Sequence, residues 1–323
     1  MPANEWLEDC RRLIVHPRMR WAHDPQLWVE LFVTANLGIL AADIYIAHSV
    51  NQFGVRAEYI PLYFSIAAAA VLGVAVALAW LASKHRVRMR RVWRLTGYLI
   101  GWAAIATGLA GVLYHLDCRF FAERTLKSIT YAAPFAAPLS YTGLGFLLLL
   151  NRMVAPRTLE WARWVIFLAM AGFFGNFVLS LTDHAENGFF LHTEWVPVIS
   201  SAFAVGFLTV PLLARVTRRY MDWCLLIMLF QALVGVLGFW FHLRANLVEP
   251  GHTLFEKLVN GAPPMAPLLF PNLVGLAWIG MWAVIPHLPE AGSPRSLLGA
   301  TWIWAHPGDL PGDESLEAGA PGN

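Results

Sequence analysis

Long apolar stretches alternate with short polar segments along almost the whole chain. Eight of these stretches hold roughly 18–23 residues, enough for a helix to cross a hydrocarbon core of about 30 Å. The predicted transmembrane helices cover residues 27–48, 60–82, 93–115, 132–150, 160–182, 196–214, 222–242 and 265–286. The pattern therefore predicts an all-α integral membrane protein.

Basic residues are divided unevenly between the predicted loops. Of the 23 Lys and Arg residues, 17 fall in the amino-terminal segment, the loops after the even-numbered helices and the carboxyl-terminal tail. Lys and Arg accumulate on the cytoplasmic side of membrane proteins. We therefore expect both termini in the cytoplasm, a location in the cell (inner) membrane, and an anchoring role for these clusters, including that of the 151–163 loop.

The two ends of the chain differ from its apolar middle. Residues 1–25 are predicted to form a cytoplasmic amphipathic segment at the membrane surface, around Trp6, Leu7, Leu13 and Ile14. The acidic residues among them are untypical of a secretory signal peptide, so the first apolar stretch is expected to remain as a span. Residues 289–323 are rich in Pro, Gly, Asp and Glu, which predicts a disordered cytoplasmic tail.

Composition supports a membrane protein and excludes several other classes. Hydrophobic residues make up 58% of the chain and charged residues only 14%, whereas a soluble chain carries about a quarter charged residues. A net charge of +2 excludes a strongly basic nucleic-acid-binding protein. Three widely spaced cysteines form neither a disulfide framework nor a thiolate metal site.

A polar pattern occurs twice along the chain. The pattern begins at His48 and again at His184, 136 residues later, and reads His-x2-Asn-x-Phe-x4-Glu-aromatic-(Ile/Val)-Pro-x3-Ser. Further matches are Gly111-x3-His115 with Gly238-x3-His242, and Ala-Pro-x2-Ala-Pro-Leu at 133–139 with 262–268. Shared membrane composition would match Leu, Ala and Phe rather than these polar residues in register. We infer a duplicated four-helix unit, with copies at 26–155 and 156–288.

An even number of helices per unit gives both copies the same orientation. We therefore expect two parallel four-helix repeats related by a pseudo-twofold axis along the membrane normal. Four histidines then end the odd-numbered helices on the exoplasmic side, and two glutamates precede even-numbered helices there. The residues expected in this layer are His48, Glu58, His115, His184, Glu194 and His242.

Two imidazoles and one carboxylate per unit form a ligand set for a divalent transition metal such as iron, zinc, manganese or copper. The layer is thus predicted to bind one metal ion or a pair of them. Four further polar residues are candidates to orient the ligands by hydrogen bonding to them: Asp43, Asn51, Asp183 and Asn187.

A b-type haem is the alternative cofactor. His115 and His242 would be its axial ligands, and Gly111 and Gly238 would leave room for the porphyrin. Helix packing alone also explains glycines at these positions, and we favour it. A purely structural role for the histidines, as His–Glu pairs that fix the interhelical loops, is about as well supported as a cofactor site.

The repeated proline segments precede the predicted fourth and eighth helices. Pro138 and Pro267 remove helical hydrogen bonds and would kink or delay these helices, although a simple helix start is slightly favoured.

Three functions follow as hypotheses. The first is redox or metal-assisted chemistry on a lipid-soluble substrate in the bilayer. The second is a transporter or permease that uses the His and Glu residues as its polar site. The third is a non-catalytic membrane subunit whose loops dock a partner protein. No nucleic-acid partner is expected, and the chain lacks phosphate-loop, nucleophile-elbow and His-Glu-x-x-His motifs.

Overall fold

A computed structural model describes residues 24–81, 86–251, 253–288 and 300–302. Eleven α-helices lie in these ranges. They are α1 Pro25–Ser49, α2 Tyr59–Leu81, α3 Arg86–Asp117, α4 Phe120–Glu123, α5 Leu126–Thr130, α6 Leu139–Met153, α7 Leu159–Glu186, α8 Trp195–Leu213, α9 Arg218–Val248, α10 Leu254–Asn260 and α11 Leu269–Val284. One-turn 3-10 helices precede α2, α8 and α11 at Arg56–Glu58, His192–Glu194 and Ala266–Leu268.

Seven helical stretches of the described chain are long and apolar enough to cross a membrane. Their outer surfaces are apolar as well: Leu99 is 72% exposed and Tyr63 is 63% exposed. A soluble protein rarely leaves so many large apolar side chains uncovered. The chain therefore has the architecture of a multi-pass, all-α membrane protein.

The predicted fourth span, residues 132–150, differs from the observed helix. Residues 131–138 form turns around Pro134 and Pro138, and α6 begins only at Leu139. Its 15 residues measure about 22 Å along the axis, short of a hydrocarbon core of about 30 Å. The prolines thus delay the helix, and α6 is not among the seven candidate spans.

Side chains at the helix starts explain where several helices begin. Asp24 accepts a 3.1 Å hydrogen bond from the Gln26 amide before α1, and Thr158 accepts one of 3.2 Å from the Trp161 amide before α7. Thr125 and Thr253 each form a capping box at the start of α5 and α10. Such caps satisfy amides that a helix leaves unpaired in its first turn.

The long helices pack as two bundles of four. In the first bundle, α1 contacts α2, α2 contacts α3, α3 contacts α6, and α6 returns to α1. The second bundle has the same cycle, formed by α7, α8, α9 and α11. The buried apolar side chains form one cluster that extends through both bundles, with residues such as Leu37 and Leu148 from the first and Phe173 and Leu208 from the second.

The two bundles meet along two seams. At one seam α1 packs on α11, and at the other α6 packs on α7. Short helices bridge both seams, because α5 of the first bundle contacts α7 and α10 of the second contacts α1. Tyr45 and Phe255 accordingly approach with ring centroids 5.8 Å apart. The ends of α1, α3, α7 and α9 therefore share one side of the molecule, here named the His face.

The two described strands lie at the other end of the molecule. Strand β1, Ala214–Val216, pairs antiparallel with β2, Ala300–Trp302, so that Arg215 is opposite Thr301. The predicted amphipathic segment lies almost entirely outside the described residues. The predicted tail does as well, apart from β2.

Candidate functional site

An imidazole, a carboxylate and an amide lie together on the His face of the first bundle. His48 occupies the last turn of α1, and Glu58 ends the 3-10 helix before α2. Nδ1 of His48 lies 3.8 Å from Oε1 of Glu58. The same oxygen accepts a 2.7 Å hydrogen bond from Nδ2 of Asn51. The Glu58 side chain is only 14% exposed, so this pairing is largely shielded from solvent.

A second imidazole, from the last turn of α3, completes the group. The His115 ring lies 6.2 Å from the His48 ring between centroids, with the planes at 72°. Its Nδ1 lies 3.0 Å from the carbonyl oxygen of Pro134. A carbonyl oxygen only accepts hydrogen bonds, so Nδ1 carries the proton and donates it. Nε2 is then the nitrogen with a lone pair in the neutral ring, as in many metal-binding histidines.

The second bundle repeats this arrangement. Nδ1 of His184 lies 3.9 Å from Oε2 of Glu194, and Nδ1 of His242 donates to the carbonyl oxygen of Pro263 over 2.9 Å. His184 and His242 are near enough for their charges to interact. Two contacts differ within the described structure: the His184 and His242 rings make no contact like that of His48 with His115, and Asn187 is exposed and makes no hydrogen bond to Glu194.

A bulky residue in a left-handed conformation shapes both loops. Phe53 has φ +53° and Phe189 has φ +51°, a region that large side chains rarely adopt. Their amides donate to the carbonyl oxygens of His48 and His184 over 3.1 and 3.0 Å. Phe53 also stacks on Tyr59 at 4.6 Å between centroids, and Phe189 stacks on its counterpart in α8 at 4.0 Å. These contacts fix each histidine relative to its glutamate.

Each glutamate has one buried oxygen without a hydrogen-bond partner in the described structure. The atoms are Oε2 of Glu58 and Oε2 of Glu194. Burying a carboxylate oxygen without a partner costs free energy, so native proteins usually satisfy such an atom with a donor, a proton or a cation. The two atoms are placed differently, because Oε2 of Glu194 is the oxygen that faces His184, whereas in the first bundle His48 faces Oε1 of Glu58.

The structure divides the six predicted ligands into two separate groups. His48, Glu58 and His115 form the first, and the three residues of the second bundle form the other. Among the described residues, no hydrogen bond, ion pair or ring contact joins one group to the other. The residues predicted to support the ligands contribute unevenly, since Asn51 holds Glu58 while Asp43 and Asp183 make no hydrogen bond to an imidazole within the described chain.

The distances between imidazole nitrogens and carboxylate oxygens are slightly longer than the distance between two ligands of one metal ion. Zinc bonds of about 2.1 Å at a tetrahedral angle place two donors about 3.4 Å apart. The imidazole–carboxylate distances of 3.8 and 3.9 Å are longer than that. Within the described residues, no group of three or more His, Cys, Asp or Glu side chains is already arranged to hold a metal ion. Binding would therefore require small side-chain rotations.

The glycines that were considered for a porphyrin face protein instead. A Cβ at Gly111 would lie 2.7 Å from Cβ of Pro138, and one at Gly238 would lie 2.9 Å from Cβ of Pro267. Each glycine thus allows a helix to approach the proline segment of the next helix. The packing interpretation holds for both positions.

Comparisons with known proteins add no family to these observations. No protein-family model, no curated protein and no solved structure matches the chain. The function must therefore be argued from the site itself.

A buried ionic network at the opposite side from the His face was missed by sequence reasoning. Arg152 forms a bidentate ion pair with Glu30, in which Nη2 donates to Oε2 over 3.1 Å. Asn151 donates to the same carboxylate over 2.9 Å and accepts from the indole of Trp161 over 3.1 Å. The Arg152 guanidinium also lies 4.0 Å above the Trp93 ring.

This network corrects the anchoring role expected for one basic residue of the 151–163 loop, Arg152. Arg152 belongs to α6 and its side chain is 0% exposed, so it is a buried ion-pair partner rather than a surface anchor. Glu30 could have indicated this network, because it is an acidic residue inside the first predicted span. A charge within the membrane needs a partner of opposite charge.

Proposed function

We propose that the chain is a multi-pass membrane protein that binds a divalent transition metal at two sites, one on each bundle at the His face. His48, Glu58 and His115 are the ligands of the first site, and His184, Glu194 and His242 are those of the second. The carrying observation is that each bundle places a buried carboxylate oxygen without a hydrogen-bond partner in the described structure, on a glutamate that lies within 4 Å of an imidazole nitrogen. Two histidines and one carboxylate suit iron, zinc or manganese, and imidazole also suits copper.

The protein's own groups prepare these sites. The carbonyl oxygens of Pro134 and Pro263 fix the tautomer and orientation of one imidazole in each group. Asn51 orients Glu58 in the first site. A bound metal would supply Lewis acidity or electron transfer beside lipid-soluble molecules, which is the redox or metal-assisted chemistry that we propose.

We also propose that the bundles are a duplicated unit and that the His face is exoplasmic. The duplication is supported by matching His–Glu pairs, His–Pro hydrogen bonds and left-handed phenylalanines. The equivalent seams, α1 with α11 and α6 with α7, support a pseudo-twofold axis along the membrane normal. The asymmetry of Lys and Arg supports cytoplasmic termini in the inner membrane.

Elemental analysis of the purified protein tests the metal sites. We expect one tightly bound transition metal per site in the unaltered chain, half that content in Glu58→Gln or Glu194→Gln, and loss of metal in the double variant. Glu123→Gln is the matched control, because Glu123 is an exposed carboxylate paired with Arg119. Metal content at background, or equal content in all variants, would contradict the proposal.

A visible spectrum on the same samples separates the cofactors. A haem would give an intense Soret band that His115→Ala and His242→Ala both abolish. No contact in the described structure favours a haem, so we expect no such band.

A permease is the second candidate, because polar groups are also buried away from the His face. Besides the Glu30–Arg152 pair, Nδ2 of Asn176 and Oε1 of Gln231 are buried without a hydrogen-bond partner in the described structure. Proton flux into liposomes, lost in the Glu58→Gln and Glu194→Gln double variant but kept in Glu123→Gln, would favour transport.

A further inference from the structure

An apolar groove opens at the seam between α1 and α11. Its volume is about 570 Å³, and α1 and α11 line it through Trp28, Leu31, Phe32, Ala35, Gly275, Trp278, Ile279 and Trp282. Apart from the indole nitrogens, every lining side chain is apolar. The small residues Ala35 and Gly275 provide its depth, and no atom lies within 4 Å of a Cβ added at Gly275.

The groove occupies only the half of the seam remote from the His face. Towards the His face, α10 packs on α1, and midway the amides of Asn36 and Asn272 are paired, with Nδ2 of Asn36 donating to Oδ1 of Asn272 over 3.1 Å. Beyond that pair, Trp28 and Trp282 lie near the start of α1 and the end of α11.

The second seam has a polar network near the corresponding end of its helices. There Asn151 of α6 accepts a hydrogen bond from Trp161 of α7, and Gln26 donates to the Asn151 carbonyl oxygen over 2.8 Å. The α1–α11 seam has a groove where the α6–α7 seam has this polar network. One of two equivalent interfaces is therefore left with an apolar gap.

We propose that this groove holds the hydrocarbon chain of a membrane phospholipid from the leaflet remote from the His face. Both walls belong to helices that are long and apolar enough to span a membrane, and lining residues such as Trp28 and Trp278 are exposed at the outer surface, so the groove would face the hydrocarbon of the bilayer. Water in such a gap would find almost no hydrogen-bond partners, whereas an acyl chain matches the lining chemically. Tryptophan is enriched in membrane proteins at the level of the lipid headgroups, and tryptophans lie at the outer end of the groove. The lipid fills the seam and holds the two bundles together, independently of any metal site.

Photocrosslinking tests the occupant directly. The full chain is reconstituted in phosphatidylcholine vesicles that contain a phospholipid with a diazirine on its acyl chain. After illumination, adducts are located by mass spectrometry. We expect adducts concentrated on the groove residues of α1 and α11, well above the label on the lipid-facing surface of α8 around Gly206.

Filling the groove supplies the decisive comparison. Gly275→Leu, or Ala35→Leu from the opposite wall, should reduce the groove adducts to the level of the α8 surface. Gly206→Leu is the matched control, since its added side chain also meets no atom within 4 Å, and it should leave the groove adducts unchanged.

Three results would overturn the proposal. Equal labelling of the groove and α8 would mean an ordinary lipid-facing surface. Labelling unchanged in both Gly275→Leu and Ala35→Leu would mean that the chain lies outside the groove. Groove labelling that appears only after deletion of residues 1–23 would mean that the protein's own amino-terminal segment fills it.

Discussion

The Glu30–Arg152 pair buries two opposite charges inside the first bundle. Both side chains are almost fully removed from solvent, and charges at such sites are kept only with close partners. Gly97 makes the pair possible, because a side chain there would overlap the Arg152 guanidinium. The positions that correspond to Glu30 and Arg152 in the second bundle, by the sequence repeat, are the apolar Ile166 and Met281.

We predict that removing one partner is far more damaging than removing both. Arg152→Met leaves Glu30 buried and unpaired, and should lower the free energy of unfolding by about 3–5 kcal/mol. The Glu30→Ile/Arg152→Met double variant copies the second bundle and should recover most of that loss. Unfolding in detergent with increasing SDS measures both. A double variant as unstable as the single one would refute the prediction.

Single residues show the limits of sequence reasoning. Glu30 stands out within an apolar stretch, but nothing local identifies a partner 122 residues away. The histidine layer was predicted from the helix ends, because helix order alone assigns residues to a membrane face. The sequence left open whether the layer forms one group or two, since lateral positions depend on which helices pack together.

At the scale of elements, the long helices were predicted well and the proline segments less well. Apolar length alone identifies a span, and the observed helices overlap all eight predicted stretches. The start of α6 was misplaced because apolarity continues through residues 131–138 while the prolines prevent a helix. The repeated Ala-Pro pattern was visible, but its role as a carbonyl acceptor for His115 and His242 needed the folded contacts.

The close approach of α3 and α9 to these proline segments gives a second prediction. Gly111→Ala and Gly238→Ala place a methyl group within 3 Å of a proline, and should each cost about 1–3 kcal/mol of stability. Gly38→Ala in α1 meets no atom within 4 Å and should be neutral or slightly stabilising. Thermal unfolding in detergent distinguishes them. Equal stability of all three variants would show that the approach is looser than described.

At the scale of the whole molecule, two four-helix bundles are joined by few polar contacts. Asn36 pairs with Asn272 across one seam, and Asn151 bonds to Trp161 across the other. Each bundle closes its own cycle of helix contacts, and buried apolar side chains continue across the seams as one cluster. We therefore expect each bundle to fold as a separate chain and then to associate with the other.

Coexpression of residues 1–156 and 157–323 as two chains tests this expectation. The fragments should copurify, and Asn36→Leu should weaken their association by about 0.6–2 kcal/mol, the range for a polar pair between membrane helices. Gln231→Leu is the control, because Gln231 bonds to the Ser200 carbonyl oxygen inside the second bundle. It should leave copurification unchanged. Fragments that never associate would show that the covalent link is essential.

The Asn36–Asn272 pair also constrains how the chain could have evolved. By the sequence repeat, Asn36 corresponds to Gly172 and Asn272 corresponds to Gly143. A symmetric dimer of the first bundle would set Asn36 against Gly143 at both seams, and one of the second bundle would set Asn272 against Gly172. Each homodimer would thus bury two amides without their partners, and only the mixed pair satisfies both. Under the proposed duplication, the Asn36–Asn272 pair therefore formed after the two copies had diverged, and their presence in one chain ensures that each copy meets its complement.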